Sequence, residues 1–284
     1  MLASLKNLNY KNFEVIIVDN ASKEDPQPII NLEFPEVIVV KSAENLGFAG
    51  GNNLGLAKAK GKYVFYINND TEVTPELLKP LVDLFESNPK VGMATPKIKY
   101  YDTQLIQYAG SNAINSFTGR GSSIGYQELD NGQYNYLKIT DLPHGAALMV
   151  PRAVIENVCL MPELFFLYYE EHDWAESIKR AGYQIYYVGT AEIYHKESIS
   201  VGKLNPMKTY FMTRNRLLFM KRNTSGFPQI IGFLFFTCFS IPKNIVSYIV
   251  KTDWKHLIAF LKGIKGYFFI RKPNENIYWA KPKL

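Results

Sequence analysis

The sequence YVFYINND, residues 63–70, decides the fold class. Aromatic and β-branched residues run directly into two asparagines and an aspartate, which predicts a buried strand that ends in a polar loop. The same pattern occurs earlier, where VIIV at 15–18 runs into Asp19, and VIVV at 37–40 predicts a further strand. Helical patterns alternate with these strands. This alternation predicts an α/β fold whose mostly parallel sheet is flanked by helices.

Further elements follow from the same reasoning. We expect helices at 53–60, 75–87, 151–157, 171–181 and 210–221, and strands at 145–150 and 184–188. Thr74 and Pro75 have the residue types of an N-cap and a first helical position, and we expect them to begin the 75–87 helix. Gly182 would end the 171–181 helix. Residues 96–140 have weak periodicity and are expected to form an insertion with short strands.

Composition and charge indicate a folded protein with one basic region. Of the 284 residues 47% are hydrophobic and 20% are charged, which excludes a disordered chain. Two distant cysteines, Cys159 and Cys238, give no disulfide framework. Residues 1–195 hold 16 Lys and Arg against 23 Asp and Glu, whereas residues 196–284 hold 16 against 3. Nucleic acid and anionic lipid both suit such a basic region, and its apolar content favours lipid.

Two aspartates follow predicted strands, where ligands bind in open parallel sheets. Asp19 could accept hydrogen bonds from a base or ribose, or hold a cation; alternatively it caps a helix. Asp70, after Asn68 and Asn69, suits Mg²⁺ or Mn²⁺, which take one or two carboxylates together with substrate phosphates. An Asx turn is the structural alternative for this segment.

An acidic cluster at Glu170, Glu171 and Asp173 opens a predicted helix after an aromatic run. It suits a general base whose pKa is raised by like charges and burial, although acids are also favoured there by the helix dipole. Trp174 could stack on a sugar ring. Further along, His195 could contact phosphate or metal, or equally be a solvated side chain. Arg214-Asn215-Arg216 could neutralise a diphosphate, or form a solvated helix face.

Seven segments in order resemble the family 2 inverting glycosyltransferases of the GT-A fold, in particular the rhamnosyltransferase-like subgroup. They are VIIVDNAS (15–22), ENLGFAGGNNLG (44–55), YVFYINNDTEV (63–73), HGAALMVPR (144–152), FFLYYEEHDW (165–174), AEIYHKES (191–198) and YFMTRNRLLF (210–219). The resemblance covers residues 1 to about 222, which we expect to form the catalytic domain. It implies Mn²⁺ or Mg²⁺ as cofactor.

The resemblance also assigns roles to individual positions. Glu171 would be the catalytic base that deprotonates the acceptor. The nucleotide and donor site would comprise Asp19 on the nucleobase together with Asn45, Gly51, Asn52, Asn69 and Asp70. Asp70 would bind the metal on the diphosphate with support from His195, and Arg214 would contact the diphosphate. The sugar and acceptor pocket would comprise His144, Gly145, Glu170, Asp173 and Trp174.

The start of the chain departs from the family's pattern. The family begins with an apolar strand and a short nucleotide-binding loop before its first helix, whereas this sequence starts within that helix, at LASLKNLNYKNFEV. The resemblance therefore implies a sheet without one interior strand and a nucleotide pocket without one wall. We expect an N-terminally shortened sequence.

Residues 223–284 form a basic, apolar tail. Its most apolar stretch, 227–250, is interrupted by Pro242, and the uninterrupted part is shorter than the ~20 residues that span a bilayer. Flanking lysines favour interfacial helices on an anionic membrane surface. A helical hairpin packed on the catalytic domain, or a kinked membrane span, are the alternatives.

The resemblance therefore implies a nucleotide-sugar glycosyltransferase of surface polysaccharide biosynthesis. The donor would be dTDP-rhamnose or a UDP-hexose, and the acceptor a saccharide or a polyprenyl-diphosphate-linked sugar, at the cytoplasmic face of the inner membrane; nucleic acid is not expected. The alternative is a catalytically inactive, membrane-associated nucleotide- or sugar-binding protein. A dinucleotide oxidoreductase is excluded because the glycines at 47–55 do not form GxGxxG.

Overall fold

The computed structural model describes residues 1–196 and 205–270. The last residues of the 191–198 segment and of the tail lie outside this part. The strands are β1 (Ile16–Asn20), β2 (Ile38–Ser42), β3 (Tyr63–Ile67), β4 (Thr71–Val73), β5 (Val91–Tyr100), β6 (Ile106–Tyr108), β7 (Ser111–Asn115), β8 (Arg120–Ser123), β9 (Leu137–Ile139), β10 (Ala147–Pro151) and β11 (Gln184–His195). The helices are α1 (Leu2–Leu5), α2 (Gln27–Glu33), α3 (Gly47–Leu56), α4 (Leu78–Ser87), α5 (Arg152–Asn157), α6 (Glu170–Arg180), α7 (Pro206–Asn223), α8 (Gly226–Phe235), α9 (Ile241–Val250) and α10 (Trp254–Phe268).

The α/β class is confirmed, but the main sheet is mixed rather than mostly parallel. Its order is β3-β10-β5-β11-β4, with β6 on β5 and β9 on β11. Within it β5 and β11 are parallel, whereas β10 is antiparallel to both β3 and β5. Parallel neighbours need a crossover, usually a helix. The short strands β6 to β9 connect β5 to β10 instead, and the two neighbours are antiparallel. The expectation of a mostly parallel sheet fails because apolar patterns alone do not reveal strand direction.

The first two strands form a separate parallel sheet. β1 pairs with β2, and among the described strands none pairs with the other edge of β1 or with the free edge of β3. Residues 15–18 are consequently half-buried, although their composition suits a buried strand. The expectation of a shortened sequence stays a prediction.

Helix α3 begins earlier than expected. It covers the glycine-rich segment from Gly47 to Leu56 instead of residues 53–60. Gly47 has φ +73°, and a Cβ there would overlap the carbonyl of Phe166. A Cβ on Gly55 would lie 2.7 Å from Val18 of β1. The glycines disfavour a helix in solution, but here they let α3 pack directly on β1 and on the loop before α6.

The predicted cap of α4 is also wrong. The helix begins at Leu78 rather than Pro75. The hydroxyl of Thr74 donates to the backbone oxygen of Glu192 at 2.8 Å and therefore ties this loop to β11. The remaining predicted helices and strands lie within a few residues of their expected bounds, except that β11 continues from the predicted 184–188 strand to His195.

The main sheet is covered on both faces. α4 packs its buried leucines against Ile98 and Ile193 in one core cluster. α5 and α6 cover Met93 and Leu148 in another. These helices leave uncovered the sheet edge near the polar turn after β3 and the loop before α6, where the candidate site lies.

The tail is helical and packs on α7. Leu217 of α7 shares a cluster with Phe236 and Phe260 of the tail. Pro242 does not interrupt the helix as expected, because a π-helical turn at Phe236–Ser240 precedes it and α9 continues beyond it. The described residues thus include a 25-residue helix, Gly226–Val250, long and apolar enough to cross a membrane by length and composition, with 17% of its most apolar window buried.

A buried ion pair joins α6 to α7. Asp173 is fully buried and accepts hydrogen bonds from Arg222 at 2.9 and 3.0 Å and from Asn223 at 2.7 Å. Removing one partner of a buried pair leaves an uncompensated charge, whereas removing an exposed pair costs little.

We expect Arg222→Met to lower the free energy of unfolding by about 3 kcal/mol. The matched control is Lys62→Met, which removes the exposed pair with Glu86 and should cost about 1 kcal/mol or less. Chemical unfolding of the detergent-solubilised chain measures both. Equal effects of the two substitutions would show that the Asp173 pair does not hold α6 on α7.

Candidate active site

Two polar strand ends meet at one edge of the main sheet. Asp70 lies in the turn between β3 and β4, and His195 ends β11, where it pairs with Thr71. As a result Nε2 of His195 lies 3.2 Å from Oδ1 of Asp70. The other ring nitrogen, Nδ1, lies 2.8 Å from Oε1 of the buried Gln107. Because a carbonyl oxygen only accepts, Nδ1 donates this bond and Nε2 faces Asp70.

This pair has the properties of a divalent-cation site. Oδ1 of Asp70 is buried and makes no hydrogen bond within the described residues. Burial acts to raise the pKa of Asp70, but His195, a backbone hydrogen bond and the charge of Lys196 together hold that pKa below its usual value. Adjacent ligands at about 2.1 Å from an octahedral ion lie about 3 Å apart, which matches the separation of the two atoms. The described residues hold no cluster of three or more His, Cys, Asp or Glu at metal-binding distance, so a diphosphate and water would supply the other ligands.

The turn His144-Gly145-Ala146 connects this pair to a neighbouring pocket. Asn68, at the end of β3, donates its backbone N–H to the oxygen of Ala146 at 3.0 Å. The His144 ring lies edge-on to that of His195, with centroids 6.0 Å apart. Burial, together with two neighbouring histidines, lowers the pKa of His144 to about 3. His144 is therefore neutral and adds no charge beside the cation site.

Glu171 contacts the opposite side of the same turn. A Cβ on Gly145 would lie 3.1 Å from Oε1 of Glu171, so the glycine leaves the space that this carboxylate occupies. Oε2 of Glu171 is buried without a hydrogen-bond partner among the described residues, and Nε2 of His172 lies 3.8 Å from Oε1. The carboxylate lines a pocket and can accept a proton from a bound hydroxyl.

Glu170 lies behind Glu171, outside the lining of the pocket. It is 2% exposed. Burial and the charge of Glu171 raise the pKa of Glu170 well above its usual value. The raised pKa favours the neutral form of Glu170 and so disfavours a second negative charge beside Glu171.

The pocket beside Glu171 has a volume of about 720 Å³. Such a volume suits a sugar-sized ligand. Its walls are the β7–β8 hairpin, the loop before α6, helix α7 and the tail helices; they include His144, Tyr168, Tyr169, Glu171, His172, Met212, Arg216, Phe236, Tyr248 and Phe260. Asp70 and His195 are not in its lining and lie beyond His144.

The expected nucleotide residues form a separate group at the end of β1. Asp19 accepts a hydrogen bond from the backbone N–H of Ser22 at 2.9 Å, and the bonds from Ser22 hold the pKa of Asp19 below its usual value. Asn20 donates to Asn45 at 3.2 Å and accepts from the backbone N–H of Leu46 at 2.9 Å. These bonds fasten the start of α3 to the end of β1. The nucleotide roles of Asp19 and Asn45 stay predictions.

Three further donor-site candidates occupy different places. Gly51 packs on Asn20, since a Cβ there would lie 3.2 Å from Nδ2 of Asn20. Asn52 donates to the oxygen of Phe48 within α3. Asn69 is exposed in the turn that carries Asp70. The structure thus groups Gly51 with Asn45, and Asn69 with Asp70.

Two expected acceptor-pocket residues are structural instead. Trp174 is fully buried in the core, donates to the oxygen of Cys159 at 2.9 Å and packs edge-on against Tyr66. It cannot stack on a sugar. Asp173 is fully engaged by Arg222 and the neighbouring Asn223. Acids and aromatics near a helix start serve packing as well as binding, and the sequence does not separate the two.

Arg214 also makes hydrogen bonds within the protein. Its guanidinium donates to the backbone oxygens of Leu164 and Phe165. The adjacent Asn215 donates to three oxygens of the same loop, those of Phe165, Leu167 and Tyr168, at 2.7–2.9 Å. The geometry favours a role in shaping this loop over the predicted contact with a diphosphate.

No local sequence pattern indicates several residues of the site. Gln107 lies in the weakly periodic 96–140 segment, which showed no motif. His172 lies between two acids of the EEHD segment, whose acidic pattern indicates carboxylates rather than a histidine. Arg120 belongs to no motif of the sequence, and only the fold brings it into one pocket with Arg216.

The family model Glycosyl transferase family 2 matches residues 1–154. The chain belongs to this family and is a glycosyltransferase.

Three relatives are named as hexosyl- or rhamnosyltransferases. A low-salt glycan biosynthesis hexosyltransferase, Agl10 of Haloferax volcanii, is 25% identical over 80% of this chain and 73% of its own length. The dTDP-rhamnosyl transferase RfbF of Shigella flexneri is 24% identical over 92% of each chain. The N-acetylglucosaminyl-diphospho-decaprenol L-rhamnosyltransferase of Mycobacterium tuberculosis is 23% identical over 71% of this chain and 72% of its own length. The rhamnosyltransferase-like resemblance is confirmed.

Solved structures show the fold. The mannosyltransferase PcManGT from Pyrobaculum calidifontis, in complex with GDP-Man and Mn²⁺, has a TM-score of 0.57 at 14% identity and covers 95% of this chain and 83% of its own. GalNAc-T7 with UDP, GalNAc and Mn²⁺ has the same TM-score and identity over 75% of this chain. The chain spans 45% of the length of GalNAc-T7. The GT-A fold class is confirmed.

We expect Gln107→Leu to weaken Mn²⁺-dependent binding of a nucleoside diphosphate by about 10- to 100-fold, because residues that orient a metal-binding histidine contribute that much to affinity. Isothermal titration with UDP and dTDP, with and without Mn²⁺, measures the change. The control is Gln104→Leu, an exposed glutamine nearby, which should leave binding unchanged. Unaltered affinity in Gln107→Leu would contradict the role of His195 as a metal-binding residue oriented by Gln107.

Proposed function

We propose that the chain transfers a sugar from a nucleoside diphosphate to an acceptor hydroxyl with inversion at the anomeric carbon. One observation carries this proposal. The turn at 144–146 contacts the end of β3 beside the Asp70–His195 pair on one side and Glu171 on the other. A donor at the pair and an acceptor in the pocket would therefore meet beside this turn.

The residues divide the reaction between them. Glu171 takes the proton from the acceptor hydroxyl, whose oxygen forms the new bond to the anomeric carbon. The bond from that carbon to the diphosphate breaks, and its electron pair leaves with the nucleoside diphosphate. Asp70 and His195 would hold Mn²⁺ or Mg²⁺, which supplies positive charge for the leaving diphosphate. The raised pKa of Glu170 disfavours a second negative charge beside the base.

The donor we propose is dTDP-rhamnose, with a UDP-hexose as the second candidate. The Shigella flexneri and Mycobacterium tuberculosis relatives are both named as rhamnosyltransferases, and the former as dTDP-dependent. The acceptor would be a saccharide or a polyprenyl-diphosphate-linked sugar. The mycobacterial relative is named for a decaprenol-diphosphate substrate, and the acceptor pocket here is partly built from the apolar tail.

The surface of the tail helices supports the proposal that the protein acts at a membrane surface. Large apolar side chains are exposed on its helices: Phe227, Ile230, Leu234, Phe239, Val246, Ile249, Trp254 and Ile258. Exposed lysines lie among them at Lys243, Lys251, Lys255 and Lys262. Such a combination binds anionic lipid by burying apolar area and attracting the headgroups. We propose the cytoplasmic face of the inner membrane.

We expect Glu171→Gln to abolish sugar transfer, at least about 100-fold, while Mn²⁺-dependent donor binding persists, because the amide cannot take the proton. The parent is first tested with a panel of nucleotide sugars, with products followed by mass spectrometry. The control is Glu176→Gln on the same helix, which pairs with Lys179 and should retain turnover. If neither parent nor variants turn over but nucleotide binds, the chain is an inactive binding protein.

We expect the double substitution Phe227→Gln and Ile230→Gln to lower binding to anionic vesicles at least about tenfold, because two apolar side chains no longer enter the interface. Flotation with phosphatidylglycerol-containing vesicles measures this. The control is Leu129→Gln, which removes an exposed apolar side chain of the catalytic domain. Vesicle binding that stays at the parent level would argue against the tail as the membrane contact.

A further inference from the structure

The acceptor pocket contains a buried cation without a carboxylate partner. Arg216 of α7 is 7% exposed and lines the pocket. Its guanidinium donates to the oxygen of Thr118 at 2.6 Å, lies 3.5 Å from the hydroxyl of Ser240 and stacks on Phe236. In the described ranges 1–196 and 205–270, no carboxylate oxygen lies within 4 Å of it. Buried charges are normally paired, so this guanidinium suggests an anionic ligand.

Two more cations line the same pocket. Arg120 lies on β8, next to the turn whose Thr118 oxygen accepts the hydrogen bond from Arg216. Lys208 lies in the first turn of α7. Burial and the charge of Arg120 lower the pKa of Arg216 to about 10, so the guanidinium is still charged at neutral pH. Among the described residues in the lining, Glu171 is the one carboxylate. Three cations that face one cavity repel each other unless an anion lies between them.

The anion is not expected to be the donor's diphosphate. Asp70 and His195 lie outside this pocket, beyond the His144 turn. Glu171 lies between the two places, since it contacts Gly145 of the turn and also lines the pocket. The group bound by Arg216 therefore lies on the acceptor side of the base.

The remaining wall of the pocket is apolar. Phe236, Tyr248 and Phe260 of the tail and Ile114 and Met212 of the catalytic part line it. Outside the pocket, the tail helices expose further apolar side chains. The lining thus offers cations and an apolar path in one cavity, which matches a ligand with a phosphate group joined to a hydrocarbon chain.

We infer that Arg216, Arg120 and Lys208 bind the diphosphate of a polyprenyl-diphosphate-linked acceptor, and that the tail binds its first isoprene units. Arginines bind phosphate oxygens with strong, charge-assisted hydrogen bonds. The sugar would then lie between the diphosphate and Glu171. This inference rests on the proposed function, since it assigns the acceptor class of the same site.

The test is isothermal titration of the detergent-solubilised chain with farnesyl diphosphate in EDTA, where metal-dependent binding at Asp70 is suppressed. We expect Arg216→Gln to weaken binding by about 30-fold or more and Arg120→Gln, at an exposed position, by about fivefold. Lys221→Gln, at the end of α7 and outside the pocket, is the matched control and should bind like the parent. If Arg216→Gln does not fold, Arg120→Gln and Lys208→Gln decide.

Asp70→Asn separates this inference from the proposed function. We expect it to lose Mn²⁺-dependent nucleotide binding but to bind farnesyl diphosphate normally. Parent-like affinity in both arginine variants would overturn the inference. Equal affinity for inorganic pyrophosphate would overturn its lipid half, and equal Arg216-dependent affinity for dihexanoyl-phosphatidylglycerol would show a phospholipid headgroup site instead. If Asp70→Asn binds the nucleotide with Mn²⁺ as tightly as the parent does, while farnesyl diphosphate binding stays intact, the result would count against the proposed function alone.

Discussion

The contact between the end of β3 and the turn His144-Gly145-Ala146 is the constraint on which the proposed chemistry depends. The bond from Asn68 to Ala146 fixes the turn beside Asp70. On its other side, Gly145 leaves room for Glu171, and a side chain there would displace the base. Small misplacements of a reacting group cost orders of magnitude in rate. Because burial keeps His144 neutral, no imidazolium charge lies between the proposed cation site and Glu171.

Helix α7 organises the acceptor side. Asn215 holds the loop before α6, in which Phe166, Tyr168 and Tyr169 have positive φ. Such conformations cost about 1–3 kcal/mol each and persist only where the surroundings impose them. The next residue, Arg216, faces the pocket, and Leu217 packs against the tail. Consecutive residues of one helix thus shape the loop before α6, line the pocket and hold the tail helices, so the proposed catalysis and the proposed membrane contact would depend on one element.

The sequence predicted elements where local pattern and tertiary role agree. Apolar runs that end in Asp19 and Asp70 identified β1 and β3, and the EEHD segment identified the start of α6. The proximity of Asp70 and His195 followed from the resemblance alone. Local pattern failed where tertiary packing decides: the glycines of α3 form a helix because β1 lies against them, Pro242 is accommodated by a π-helical turn, and Trp174 faces the core rather than a sugar. Strand direction and the pairing of Gln107 with His195 depend on long-range contacts that no local pattern records.

The most direct test of the central claim is a crystal structure with Mn²⁺ and a nucleoside diphosphate, with the metal located by its anomalous scattering. The account predicts manganese on Oδ1 of Asp70 and Nε2 of His195 at about 2.1–2.2 Å, with the outer phosphate facing Glu171 beside the His144 turn. Manganese elsewhere, or a diphosphate whose outer phosphate points away from Glu171, would contradict it.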